Sequence, residues 1–165
     1  MAYFDRLSPS DYALLEHLEA HGLLAGTTAH DILEALVRAR LRLADEYLAF
    51  ALSLDPRYPA SQRQIISRSY YAMHHSARAV LLSHDHQEYA LHSGRGSVIE
   101  RFGHLFPDPD GRRQRDMLRD WHDLRLRADY NPSLAGNLLA EAQLAHLEAP
   151  AFVADMRLRL PGHLR

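Results

Sequence analysis

Residues 67–82, SRSYYAMHHSARAVLL, constrain the fold of this chain more than any other stretch, because they read as one helix with polar groups on the side that a bundle would bury. Arg68 and His75 stand seven residues apart, two helical turns, and so project from one face. Tyr71, Ala72, Ala79 and Leu82 fall on or beside that stripe, and the two alanines leave room for a second helix to come close. A buried guanidinium has to be paired or hydrogen-bonded, since an isolated charge in an apolar interior costs many kcal/mol. Its partner must come from elsewhere in the chain.

The partner stretch is residues 123–132, DLRLRADYNP, where Asp129 and Tyr130 end an Arg-rich helix before a proline that discourages its continuation. The expected ion pair is Arg68 with Asp129. Three stretches then follow known motifs in order. Ser67, Arg68, Tyr70, Tyr71, Ala72, Met73, His75, Ala77, Arg78, Ala79, Val80, Leu81 and Leu82 follow N-R-x-Y-Y-A-M-x-H-A-A-K-A-L-L. His92 and Gly94, with Phe102 a few residues on, follow H-x-G-V and its Phe; Leu124, Arg125, Ala128, Asp129 and Tyr130 follow L-R-N-x-A-D-Y. On these motifs the chain resembles the HEPN domain (higher eukaryotes and prokaryotes nucleotide-binding), most closely its small stand-alone prokaryotic branch. Three spaced motifs are more specific than any lone pattern.

The resemblance implies an all-α antiparallel bundle that commonly dimerises, in a prokaryotic toxin-antitoxin or phage-defence system. It implies RNA binding and, in catalytic members, metal-free RNA cleavage by an R-x4-6-H motif. There the ribose 2'-OH attacks the adjacent phosphate, the His moves protons and the Arg stabilises the transition-state charge. By this resemblance a homodimer would set the helix at residues 112–130 near the two-fold axis, with both copies of Arg125 lining one cleft. The chain departs from the motif: Leu126 follows Arg125 where the family has Asn, and Tyr130 stands where the family has His. Tyrosine, with a reference pKa near 10, is a poor general base at neutral pH.

Arg68 and His75 offer an R-x6-H spacing on another helix, and His74 offers R-x5-H. The candidate catalytic residues are therefore Arg125, Tyr130, Arg68 and His75, with Asp129, Tyr71 and His92 as a structural or site network. Against catalysis stands a structural network, with Arg68 paired to Asp129 and Tyr130 buried and hydrogen-bonded at a helix end. The resemblance also admits Tyr130 as an adenylylation site. The alternative to an RNA-acting protein is a catalytically silent module that binds a nucleotide or a partner protein, such as a nucleotidyltransferase or an antitoxin.

The chain's 165 residues are one domain's worth, enough to bury a core without metals or disulfides, and it has no cysteine. No stretch approaches the ~20 apolar residues of a membrane span, so a soluble cytoplasmic protein is expected. A net charge of -2 argues against a generic nucleic-acid binder. All 19 basic residues are Arg, and the 12 His fit the same compositional bias, so no metal and no cofactor is expected. His74, His75, His84, His86, His92 and His104 form no compact ligand pattern.

In chain order, residues 1–26 give a short helix from Pro9 to about His21, stopped by Gly22, and a connector; residues 27–165 give the bundle. Helices are expected from Thr27 or Thr28 to Leu54 with Ile32, Leu36, Leu43, Tyr47, Phe50 and Leu54 on the packed stripe, and from Ala60 or Ser61 to Ser83. Arg38, Arg40 and Arg42 are expected in solvent. A shorter helix follows Gly94, and residues 107–111, PDPDG, read as a loop. Residues 112–128 read as the next helix, packed through Met117, Trp121, Leu124 and Ala128; its six Arg against three Asp, a local +3, make it the best basic surface. A last helix starts at Leu134, capped by Asn131 or Ser133, and is kinked or interrupted at Pro150.

Overall fold

A computed structural model describes residues 9–84, 95–131 and 138–164. Among these, all regular structure is helical: α1 (Pro9–Ala20), α2 (Ala29–Ser53), α3 (Pro59–His84), α4 (Arg95–Leu105), α5 (Pro109–Tyr130), α6 (Leu139–Arg159) and a short 3-10 turn, Gly162–Leu164. Helix α3 is the hub and packs against α2, α4, α5 and α6. Its composition explains this position, since Ile65, Ile66, Tyr70, Met73, Ala77, Val80 and Leu81 are almost completely buried. The turn at residues 54–58 returns α3 along α2, and α1 lies against α2, where Glu19 Oε2 accepts the Ala29 amide at 3.0 Å. No described helix is long and apolar enough to cross a membrane.

Helix starts are set by local chemistry. Thr28 and Asp31 form a reciprocal capping box at α2, and the hydrogen bonds from the Thr28 hydroxyl and amide hold the Asp31 carboxyl below its ordinary range. Asp108 caps α5 by accepting the Gly111 amide at 2.9 Å, which lowers its carboxyl likewise. This corrects the expected loop at residues 107–111: Pro109 is the first residue of α5, where its missing amide and fixed φ suit a helix start. Gly111 is required there by space. A Cβ on it would overlap the Phe106 carbonyl oxygen and lie 2.5 Å from the Phe106 Cβ. Gly111→Ala should therefore lower the urea midpoint despite alanine's better helix propensity, which by itself would stabilise by about 1 kcal/mol. A midpoint at or above wild type would show that the α4–α5 corner yields freely.

Other expectations need correcting. The packed stripe of α2 is Leu33, Val37, Arg40, Leu41, Ala44 and Ala51, so Arg40 is buried at 7% exposure, whereas Phe50 of the expected stripe is exposed. Helix α2 carries two apolar stripes, and only packing chose between them. On α5 the buried set is Gln114, Leu118, Trp121, Arg125 and Ala128, with Met117 and Leu124 partly covered. Asn131 closes α5 through its amide to the Arg127 carbonyl. Leu138 lies before the last helix, which starts at Leu139 and runs through Pro150 without a break. Ala142, Ala145 and Ala149 before the proline, and Phe152, Val153 and Met156 after it, are all buried, so packing on both sides offsets the lost backbone bond. Ser133 and the expected helix start at Leu134 lie outside the described residues.

Candidate functional site

Tyr47, which the sequence suggested only as packing, joins the candidate residues. Its ring lies beside Tyr71 (centroids 5.4 Å apart) and parallel to His75 (5.5 Å, 1° between planes). The Arg68 guanidinium lies over the same ring, 5.5 Å from its centroid, and 5.7 Å from that of Phe50. Spacing put Arg68 and His75 on one face of α3; α2 supplies the aromatic surface between them. Leu43, Glu46, Tyr47, Phe50 and Arg68 line an open pocket of about 310 Å³ on this face.

Arg68 therefore does not pair with Asp129. It points to α2, where its charge meets aromatic faces, and its enclosed Nε has no hydrogen-bond partner. His75 is half-buried, and its Nδ1 stands 3.4 Å from Arg40 Nη1. Arginine only donates, so Nδ1 accepts and the neutral ring's hydrogen sits on Nε2. Arg40 thereby fixes the orientation of His75. This role was hidden in the sequence, where three alternating arginines suggested solvent.

The buried cation that Asp129 meets is Arg125, four residues earlier on α5. Its side chain is wholly buried, Nε lies 3.2 Å from Asp129 Oδ2, and Nη2 donates to the Tyr71 hydroxyl at 2.8 Å. Its guanidinium carbon is 5.8, 5.2 and 5.6 Å from the ring centroids of Tyr70, Tyr71 and Tyr130. Ser67 of α3 adds a long hydrogen bond to Asp129 at 3.4 Å. Arg63 of α3 donates to the carbonyls of Ala128 and Asn131, satisfying the C-terminal end of α5 and opposing its dipole. Arg125, Tyr71 and Asp129 thus form an internal network that continues through the Tyr71–Tyr47 stack to Arg68 and His75.

Tyr130 ends α5 with 70% of its surface exposed, which corrects the expected buried tyrosine. The expected basic surface of α5 is also reduced. Arg125 is internal, while Arg113 pairs with Asp110 at 3.3 Å, and Arg115 and Arg119 share Asp116 at 2.7 and 3.3 Å. Trp121 is core, as its spacing suggested, and its indole N–H donates to Glu148 at 2.8 Å. His92 lies outside the described residues.

The cluster splits into two parts with different chemistry. Arg125 is sealed and reaches the surface only through the groups that it touches, Tyr71, Asp129 and Tyr130 among them. Arg68, Tyr47 and Phe50 line an open groove, and half-buried His75 stacks on Tyr47, so a cation, aromatic rings and an imidazole are gathered at this face. No family model, curated protein or solved structure matches this chain.

Proposed function

We propose that this chain is a HEPN-type helical bundle that binds RNA in a prokaryotic toxin-antitoxin or phage-defence setting, through the α2–α3 groove lined by Arg68, Tyr47 and Phe50, with His75 stacked on Tyr47. The single observation that carries the reading is that Arg68 and His75 both lie against the ring of Tyr47, which lines an open pocket. Guanidinium groups pair with phosphate, and exposed aromatic rings such as Phe50 stack on bases whatever their identity. Metal-free cleavage fits the same geometry. His75 would take the proton of the attacking 2'-OH on Nδ1 once that lone pair is released from its 3.4 Å contact with Arg40, and return it from the resulting imidazolium to the leaving oxygen, while Arg68 would meet the charge that develops on the phosphate. Arg125 would serve as the support that holds Tyr71 against Tyr47.

A second reading, a silent module binding a nucleotide or a partner such as a nucleotidyltransferase or antitoxin, is favoured by the state of the family's usual position. There Arg125 is wholly buried and Tyr130 replaces the His. Homodimerisation belongs to both readings by resemblance.

Fluorescence anisotropy with labelled single-stranded RNA separates them. Wild type should bind, while Arg68→Ala and Tyr47→Ala should each weaken binding by about 5- to 100-fold, the ~1–3 kcal/mol worth of a base–aromatic stack, with a shallower salt dependence for Arg68→Ala. Absence of RNA binding by wild type, with retained affinity for a nucleotide or a partner, selects the silent module.

A further inference from the structure

We propose that His30, Glu34 and His163 form a binding site for a divalent transition metal of the zinc type, joining the start of α2 to the C-terminal turn. His30 and Glu34 are one helical turn apart on α2, and His163 arrives from the Gly162–Leu164 turn, which Leu164 anchors in the core. Both imidazole Nε2 atoms approach the same carboxylate oxygen: His30 at 3.3 Å and His163 at 3.0 Å from Glu34 Oε1. All three ligand atoms lie within 4.8 Å of one another.

These spacings suit a metal. Bonds of about 2.0–2.1 Å in a tetrahedron place ligand atoms about 3.3 Å apart, close to both separations found here. Two imidazoles and one carboxylate are a zinc-type donor set that leaves a fourth position for water. Glu34 is already oriented. Its other oxygen, Oε2, accepts from Arg38 Nη2 at 2.7 Å, which turns Oε1 toward the two rings, as outer hydrogen bonds do for ligating carboxylates. The carboxylate is also the most enclosed of the three, with its side chain 16% exposed against 69% for His30 and 57% for His163. Without metal, hydrogens on the two Nε2 atoms can bridge to the carboxylate, and zinc would displace them.

The site is separate from the groove. Tyr47 lies thirteen residues beyond Glu34 on the same helix, about 20 Å at 1.5 Å per residue. Bound metal would therefore tie the chain's end to α2 without entering RNA chemistry, and the inference stands whether or not RNA is bound.

Isothermal titration of the EDTA-stripped full chain with zinc chloride near neutral pH should give one tight site per chain and a raised Tm. Each of His30→Ala and His163→Ala, both at exposed side chains, should weaken that site by more than about tenfold and abolish the Tm shift. His21→Ala, an exposed histidine that is not one of the three ligands, should leave both unchanged. Substitution by cobalt(II) should give the intense visible bands of a four-coordinate site, lost in the two variants. Failure of wild type to bind zinc stoichiometrically, or equal affinity in a His30→Ala/His163→Ala double variant, would overturn the proposal.

Discussion

Asp129→Ala should destabilise the folded chain by roughly 3 to 5 kcal/mol in urea melts, the penalty for stranding a buried cation. Asp129 keeps 24% of its side-chain surface in solvent, so the attraction in the pair is partly screened, but the cost is set by Arg125, which has no route to water. Removing the cation instead is milder. In Arg125→Met the carboxylate can turn to solvent and the apolar chain keeps most of the packing. The double variant Arg125→Met/Asp129→Ala should then be far less damaged than the sum of the singles, because once the cation is gone nothing buried needs the carboxylate. Tyr71→Phe removes only the hydroxyl that accepts from Arg125 Nη2 and should cost about 1 to 3 kcal/mol. Additive singles, or an Asp129→Ala melt within about 0.5 kcal/mol of wild type, would mean that Arg125 is not held by this pair.

The second large effect concerns chemistry at the groove. If the protein cleaves RNA in EDTA, His75→Ala should slow cleavage by about 10²- to 10⁴-fold, the usual contribution of a positioned acid or base. Arg68→Ala should also slow the chemical step. The wild-type rate should change with pH between about 5 and 8, where an imidazole changes charge, and His75→Ala should flatten that profile. Both variants should melt near wild type, since neither residue is wholly enclosed. Cleavage that survives in His75→Ala but vanishes in a folded Arg125 variant would return the activity to the end of α5.

Much of the helical layout is legible in the sequence because its determinants are local. Thr28 with Asp31 marks one start, Gly22 at φ 68° takes the left-handed turn that ends α1, and the apolar run around Tyr70 marks the central helix. The start of α5 is legible only by mechanism. Asp108-Pro109 reads as a loop by composition but as a cap followed by a first helical residue by mechanism. The site was half legible. Spacing on a single helix places Arg68 beside His75, because the 3.6-residue period is a property of the chain itself.

Local spacing and composition are enough to make the chain helical, to set polar groups on a face of α3 meant for burial, and to require compensation for a cation there. Which cation is buried, and with what, depends on how the helices meet. The sequence pairs Arg68 with Asp129, but the rotation of α5 against α3 puts Arg125 inside beside that carboxylate, and the approach of α2 offers Arg68 the rings of Tyr47 and Phe50. The choice between two apolar stripes on α2, and with it the burial of Arg40 against His75, is of the same kind. Local propensity fixes dihedrals and spacing, whereas the rotation of one helix about its axis is settled by the summed packing of all its neighbours, which no single stretch encodes.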